Sequence, residues 1–357
     1  LNWQEQYNQF IPKDPYNNSK RFYVGCVATA LGQIINYWQY PSSISLNCNY
    51  VTRTLNIDID GDNVSLDFPS FSTLNTTLSN VNYNGSMQEA AYLSFAAGIS
   101  VQMNYGSKYT VSNPYYGSSS LTLFSRDALL NNFHYGSASY KGRGQQSAQD
   151  FWNSIKDEII KDMEEGCPVQ VSIQNQKSQG HSIIIDGYMN SDGKFHLNMG
   201  WGDVNNEDNW YSLPVFIIGN NTFEIKGVIY NINPRCSYSQ VGGDEKNTAR
   251  TPYLAPTNAP AIKWQVDLPA SLPDHKFDNL IVGAGGKIYA SISPTAMGGT
   301  DNPCIAVIHP QGYIKKILQI TSCNLPIDFL SQDNNGNILF GTGDTTHQTQ
   351  IFKLDPK

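Results

Sequence analysis

A chain of 357 residues is long enough for two domains and for cores that need no disulfide or metal staples. Its formal net charge of -7, with charged residues at only 15%, excludes a basic nucleic-acid-binding surface and a polybasic membrane patch. Protein, peptide or small-molecule partners fit that balance better, and apolar runs such as Ile183 to Ile185 and Val215 to Ile218 are too short to span a bilayer.

The abundance of Asn, Ser, Gly and Tyr is more typical of secreted or cell-surface β-rich proteins than of cytosolic enzymes, and Leu1 in place of Met is expected of a processed mature form or of a trimmed chain. The first predicted helix begins at Cys26 and carries Val27, Leu31, Ile34, Ile35 and Trp38 on one face, with Pro41 just beyond its end. "SMQEAAYLSFAAG" predicts a second helix, with Ser86 and Glu89 at capping-box spacing and Gly98 as its stop. A short third is expected from Ser125, and a fourth from Ser147 to about Gly166 with Trp152, Ile155, Ile159 and Met163 as its buried stripe.

After Pro168 the pattern turns to strands: "VQVSI", "HSIIIDGY", "KFHLNMGW", "NWYSLP" and "FEIKGVIYNI", with a hairpin turn at Asp192-Gly193. Helices followed by an antiparallel sheet make an α+β domain over residues 1–236. Residues 237–261, rich in Gly, Pro and Asn, read as a linker. Residues 262–357 are strand and turn throughout, in two similar units that predict a partial propeller-like array or a β-sandwich. Cys304 and Cys323 stand within that region as a pair able to bridge if the geometry allows.

Chemistry concentrates elsewhere. A cysteine becomes a nucleophile when its thiolate is stabilised and an imidazole stands beside it, and Cys26 follows Gly25 at a helix N-terminus, where free N–H groups supply partial positive charge. His181 follows Gly180 and opens a strand; Asn198 lies on the next strand of the hairpin, with Trp201 in "GWG" able to cover both. The order Cys, His, Asn, with a long first gap and a short second, is the papain-type order. His196 is a rival base, but Phe195 before it gives less access than Gly180 gives His181. Asp186 fits a hairpin contact better than a catalytic role, and Cys167, entering a strand, reads as core.

Around these residues, "GCVATALGQIINYW..YP", "GISVQMNYG", "ALLNNFHY", "EEGCPVQVSI", "GHSIIIDGY" and "FHLNMGWG.....WYSLP" resemble the streptopain-like cysteine peptidases, peptidase family C10. The resemblance covers about residues 1–235 and implies a papain-like fold, with Cys26 as nucleophile, His181 as general base and acid, Asn198 orienting His181 and Trp201 as an aromatic lid. "NWQEQYNQFIP" is similar to the family's N-terminal run, whose Gln serves the oxyanion hole; Gln4 is its counterpart, with Gln6 as the alternative because the spacing is one residue short. Met199 departs from the pattern, standing where the better-known member has Trp.

The reading implied is a bacterial, secreted or cell-envelope-exposed cysteine endopeptidase acting on proteins or peptides through a Cys26 thioester. It needs no metal and no organic cofactor, and an N-terminal inhibitory propeptide is its expected partner. The alternatives are a weakly active peptidase-like binding or adhesion protein and a cysteine amidase acting on cell-wall peptides. Two further motifs are rejected. "DIDGD" (58–62) lacks the ligand series of a calcium loop, and "VGAGGK" (282–287) precedes a strand where a phosphate site needs a helix.

Overall fold

The computed structural model describes residues 6–106, 117–201, 210–234, 265–283, 287–294, 302–309, 312–321, 325–333, 337–343 and 349–354. The chain divides into two compact units, Leu1–Asn233 and Pro234–Lys357. The predicted linker, 237–261, lies outside the described residues.

In the first unit, β1 (Lys13–Asp14) and β2 (Asn17–Arg21) form a small hairpin ahead of α1 (Cys26–Trp38). Then come α2 (Phe71–Thr77), α3 (Met87–Ser100), α4 (Leu123–Asn131), β3 (Ser137–Gly142), α5 (Ala148–Asn153) and α6 (Lys156–Glu164). The remaining strands are β4 (Val169–Asn175), β5 (Gly180–Met189), β6 (Lys194–Asn198), β7 (Trp210–Tyr211), β8 (Val215–Ile218) and β9 (Asn221–Asn233). They make an antiparallel sheet in the order β3-β9-β4-β5-β6-β7, with β8 on β9.

Two cores lie against opposite faces of this sheet. On one, Ile184, Ile229 and Ile232 join residues of α1 to α4, including Leu31, Ile34 and Ile35. On the other, Val169, Val171, Ile173, Ile183 and Ile185 pack with Phe151, Trp152 and Ile159 of α5 and α6. Strand alternation produces this division, sending successive side chains of β4 and β5 to opposite sides. α1 buries seven residues of its thirteen, and each fully buried Leu or Ile contributes about 1.5–3 kcal/mol relative to exposure.

Several expectations are corrected. α3 starts with the predicted capping box, the Glu89 carboxylate accepting from the Ser86 N–H, but runs past Gly98 to Ser100. Gly98 is instead the point of closest approach for Tyr105, whose hydroxyl would lie 2.5 Å from an added Cβ. The predicted fourth helix is two. Ser154 closes α5 with its hydroxyl on the Phe151 carbonyl at 2.6 Å, and Ile155 leaves helical geometry at φ -135°. Hydrophobic spacing persists through this break, because Trp152, Ile155 and Ile159 are all buried. The sequence reading assigned no element to β1, β2, α2, β3 or β8, which are short or mainly polar.

The described residues of the second unit form two open antiparallel sheets. One is β10 (His275–Val282), β11 (Ile288–Pro294), β12 (Cys304–Ile308) and β13 (Ile314–Gln319); the other is β14 (Ile327–Gln332), β15 (Ile338–Gly343) and β16 (Thr349–Leu354). Ile281, Tyr289, Ile305, Leu330, Ile338 and Phe340 from both sheets share one core. Asn279 of β10 donates to the Ile327 and Asp328 carbonyls of β14. Cys304 is buried in β12, and Cys323 lies outside the described residues.

Candidate active site

The backbone ahead of Cys26 is pinned before the helix starts. The Phe22 N–H bonds the Pro12 carbonyl at 3.0 Å, and the Val24 N–H bonds Oδ1 of buried Asn8 at 3.0 Å. Gly25 then turns the chain at φ 90°, ψ 143°, a conformation that side chains other than glycine rarely adopt. A Cβ at Gly25 would lie 2.8 Å from both Sδ and Cε of Met103, so close packing makes a second demand for glycine. Among the described residues, no side chain caps this end of α1. Its first-turn N–H groups are therefore available to a negative charge.

His181 stands near the start of β5, opposite Ile173 of β4. Its Nε2 is 2.9 Å from the Met199 carbonyl. A carbonyl only accepts, so Nε2 carries the proton and Nδ1 is left to face the Cys26 sulfur. The imidazole hydrogen-bonds the Cys26 side chain.

Burial pushes the Cys26 thiol up, but the His181 hydrogen bond and charge, with the N–H groups of Ser182 and Val27, outweigh it and leave the pKa lowered. For His181, burial pulls the imidazole down, while the Cys26 hydrogen bond and charge and the Met199 carbonyl raise it overall. Each shift favours the charged form of its group, and each group is the other's main favourable partner. Cys48 provides the contrast: burial without an imidazole raises its thiol to about 11.

The other candidate residues fall at different distances from this pair. Asn198, opposite Ile184 on the α1 side of the sheet, accepts at its Oδ1 from the Gly200 N–H at 3.0 Å and from Gln33 Nε2 at 3.3 Å. The His181 ring donates to the Met199 carbonyl, one residue on, in the turn that Asn198 closes. Trp201 lies over the imidazole, ring centroids 5.4 Å apart and planes 19° apart, and remains 37% exposed. Gln4 lies outside the described residues; Gln6 is exposed, and its backbone carbonyl accepts from Gln9.

The rival base is engaged elsewhere. His196 Nδ1 hydrogen-bonds Asp186 across the β5–β6 hairpin, and its ring meets Trp210 with centroids 5.3 Å apart. Cys167 is buried, its sulfur 3.4 Å from Asn233 Oδ1. "DIDGD" folds as a turn in which the Asp58 and Asp62 N–H groups bond Asp62 Oδ2 and the Asp58 carbonyl. Sequence reasoning missed the Met199 carbonyl, because a backbone acceptor leaves no trace in residue type.

Residues 1–211 match the family model of the peptidase C10 family. The chain belongs to that family. Over 217 residues it is 30% identical to the thiol protease/hemagglutinin PrtT of Porphyromonas gingivalis, covering 59% of this chain and 23% of that protein. Over 198 residues it is 32% identical to streptopain of Streptococcus pyogenes serotype M1, covering 50% of this chain and 43% of the relative. The matches thus span less than half the length of these curated relatives. Among solved structures, the active wild-type interpain A cysteine protease of Prevotella intermedia is 25% identical with a TM-score of 0.46, covering 64% of this chain and 89% of that one.

Proposed function

We propose that this C10-family chain is a cysteine endopeptidase with papain-like chemistry. The observation that carries the reading is the contact between Cys26, at the unblocked N-terminus of α1, and His181, at the start of β5. In the reaction we infer, the Cys26 thiolate attacks a peptide carbonyl carbon, forming a C–S bond and moving the carbonyl π electrons onto oxygen. N–H groups at the start of α1 stabilise that oxyanion, with Gln4 or Gln6 as the side-chain donor. His181 gives its proton to the amine as the C–N bond breaks; it then takes a proton from water, whose oxygen displaces Cys26 from the thioester.

In this reading Asn198 acts through the turn it closes, holding the Met199 carbonyl where it fixes the His181 tautomer, and Trp201 shields that contact from water. Protein or peptide substrates, secretion or exposure at a bacterial envelope, and control by a propeptide belong to the same proposal, supported by family membership. The domain limits 1–236 and 262–357 belong to it as well, the second serving as a β-rich appendage to the peptidase.

Casein cleavage and labelling by a thiol-directed epoxide test the reading. Cys26→Ala is expected to abolish cleavage, and the epoxide to modify Cys26 in preference to Cys167 near neutral pH. Unchanged cleavage by Cys26→Ala, or equal labelling of the two cysteines, overturns it.

A further inference from the structure

Gln170 is fully buried on β4, on the sheet face that meets α1 and opposite Ile184 of β5. Burying a primary amide costs free energy unless partners satisfy both its N–H donors and its carbonyl. Nε2 donates to Ser182 Oγ at 3.0 Å and to the Val27 carbonyl at 3.4 Å, while Oε1 is buried with no hydrogen-bond partner among the described residues. Thr122 Oγ1, itself buried, donates to the same Ser182 hydroxyl at 3.3 Å. A Met of similar volume would fill this space without an unpaired carbonyl oxygen, so packing alone gives no reason for an amide here.

The two groups that Gln170 holds supply the reason. Val27 directly follows Cys26, and Ser182 directly follows His181. The backbone N–H groups of Val27 and Ser182 both reach the Cys26 sulfur. One amide thus bridges the first turn of α1 and the first residues of β5 beside the reacting pair. We propose that Gln170 is a positioning residue for the cysteine peptidase reaction, tying the helix that carries Cys26 to the strand that carries His181 and so setting their separation. The inference rests on the proposed roles of Cys26 and His181. A misplacement of about 1 Å in a reacting group costs on the order of 100-fold in rate, so a tether this close to both groups has a measurable effect.

The test uses the full chain with Gln170→Met, Ser182→Ala and the double variant. The readouts are kcat and KM on a fluorogenic peptide, thermal denaturation, and iodoacetamide alkylation of Cys26 followed by peptide mass spectrometry across pH 5 to 10. Gln170→Met is expected to lower kcat by about 10–100-fold with KM nearly unchanged, and to move the alkylation midpoint to higher pH in a folded protein. Ser182→Ala shifts the midpoint the same way, and the double variant is no worse than the worse single one, because both remove the same tether.

Folded Gln170→Met with wild-type kcat and midpoint overturns the proposal. Should Gln170→Met fail to fold, Ser182→Ala decides: an unmoved midpoint and kcat overturn it equally. Alkylation reads the Cys26–His181 contact without a peptide substrate. A Cys26→Ala chain that still cleaves casein would therefore refute the peptidase reading and leave the tether's own result standing.

Discussion

At the scale of single residues, the site depends on which atoms meet as much as on which residue types are present. Cys26 and His181 are legible in the sequence because a helix start and a Gly-His strand start are local signals. The bond that His181 Nε2 donates to a main-chain oxygen is invisible there, and so are the bonds that Asn198 Oδ1 accepts from Gly200 and Gln33. This assignment makes Met199 tolerant and Asn198 sensitive. Met199→Leu conserves volume in a buried position and leaves the carbonyl, so kcat is expected to stay within about threefold. Asn198→Ala frees the Gly200 turn and is expected to lower kcat about 10–100-fold with little change in KM. Steady-state kinetics of the two variants check this; a reversed order of effects would contradict the role given to the Met199 carbonyl.

At the scale of elements, what was readable followed from short-range chemistry. The capping box of α3 needs only Ser86 and Glu89, and the β5–β6 hairpin only alternation and Gly193, which sits at φ 70°. The break between α5 and α6 was hidden because the apolar stripe crosses it, while β3, "SASYKG", has almost no apolar run and is recruited by pairing with β9. Gln170 is buried because both faces of β4 are covered, which a strand sequence by itself does not reveal. The start of α1 is where element geometry meets function. Gly25→Ala is expected to cost on the order of 1–3 kcal/mol through backbone strain, with the Met103 contact adding to it. Urea unfolding monitored by tryptophan fluorescence measures this. A midpoint equal to wild type would show that the turn into α1 does not need glycine.

At the scale of the whole molecule, each unit has its own cores, and the first unit carries a buried carboxylate with a defined pH signature. Burial pushes Asp162 of α6 up to about 7, with Glu165 and Glu158 adding to the rise and the Asn231 N–H and Lys161 opposing it. A carboxyl raised on folding stays protonated in the native state while the unfolded chain ionises. Its contribution to stability is therefore full below about pH 4, declines as pH rises to about 7, and is constant above that. Urea midpoints of wild type and Asp162→Asn should diverge over this window, the variant gaining relative to wild type as pH rises; a pH-independent difference would contradict the assignment.

The central claim is that Cys26 is ionised by His181 within this fold. Its most direct test is the pH dependence of Cys26 alkylation by iodoacetamide in wild type and His181→Ala, resolved from the other cysteines by peptide mass spectrometry. The predicted result is a wild-type midpoint below the ordinary thiol value of 9 and a midpoint that rises in His181→Ala, where burial acts without the imidazole. A wild-type Cys26 that titrates at or above 9, as Cys48 is expected to, or one that His181→Ala leaves unmoved, would contradict it.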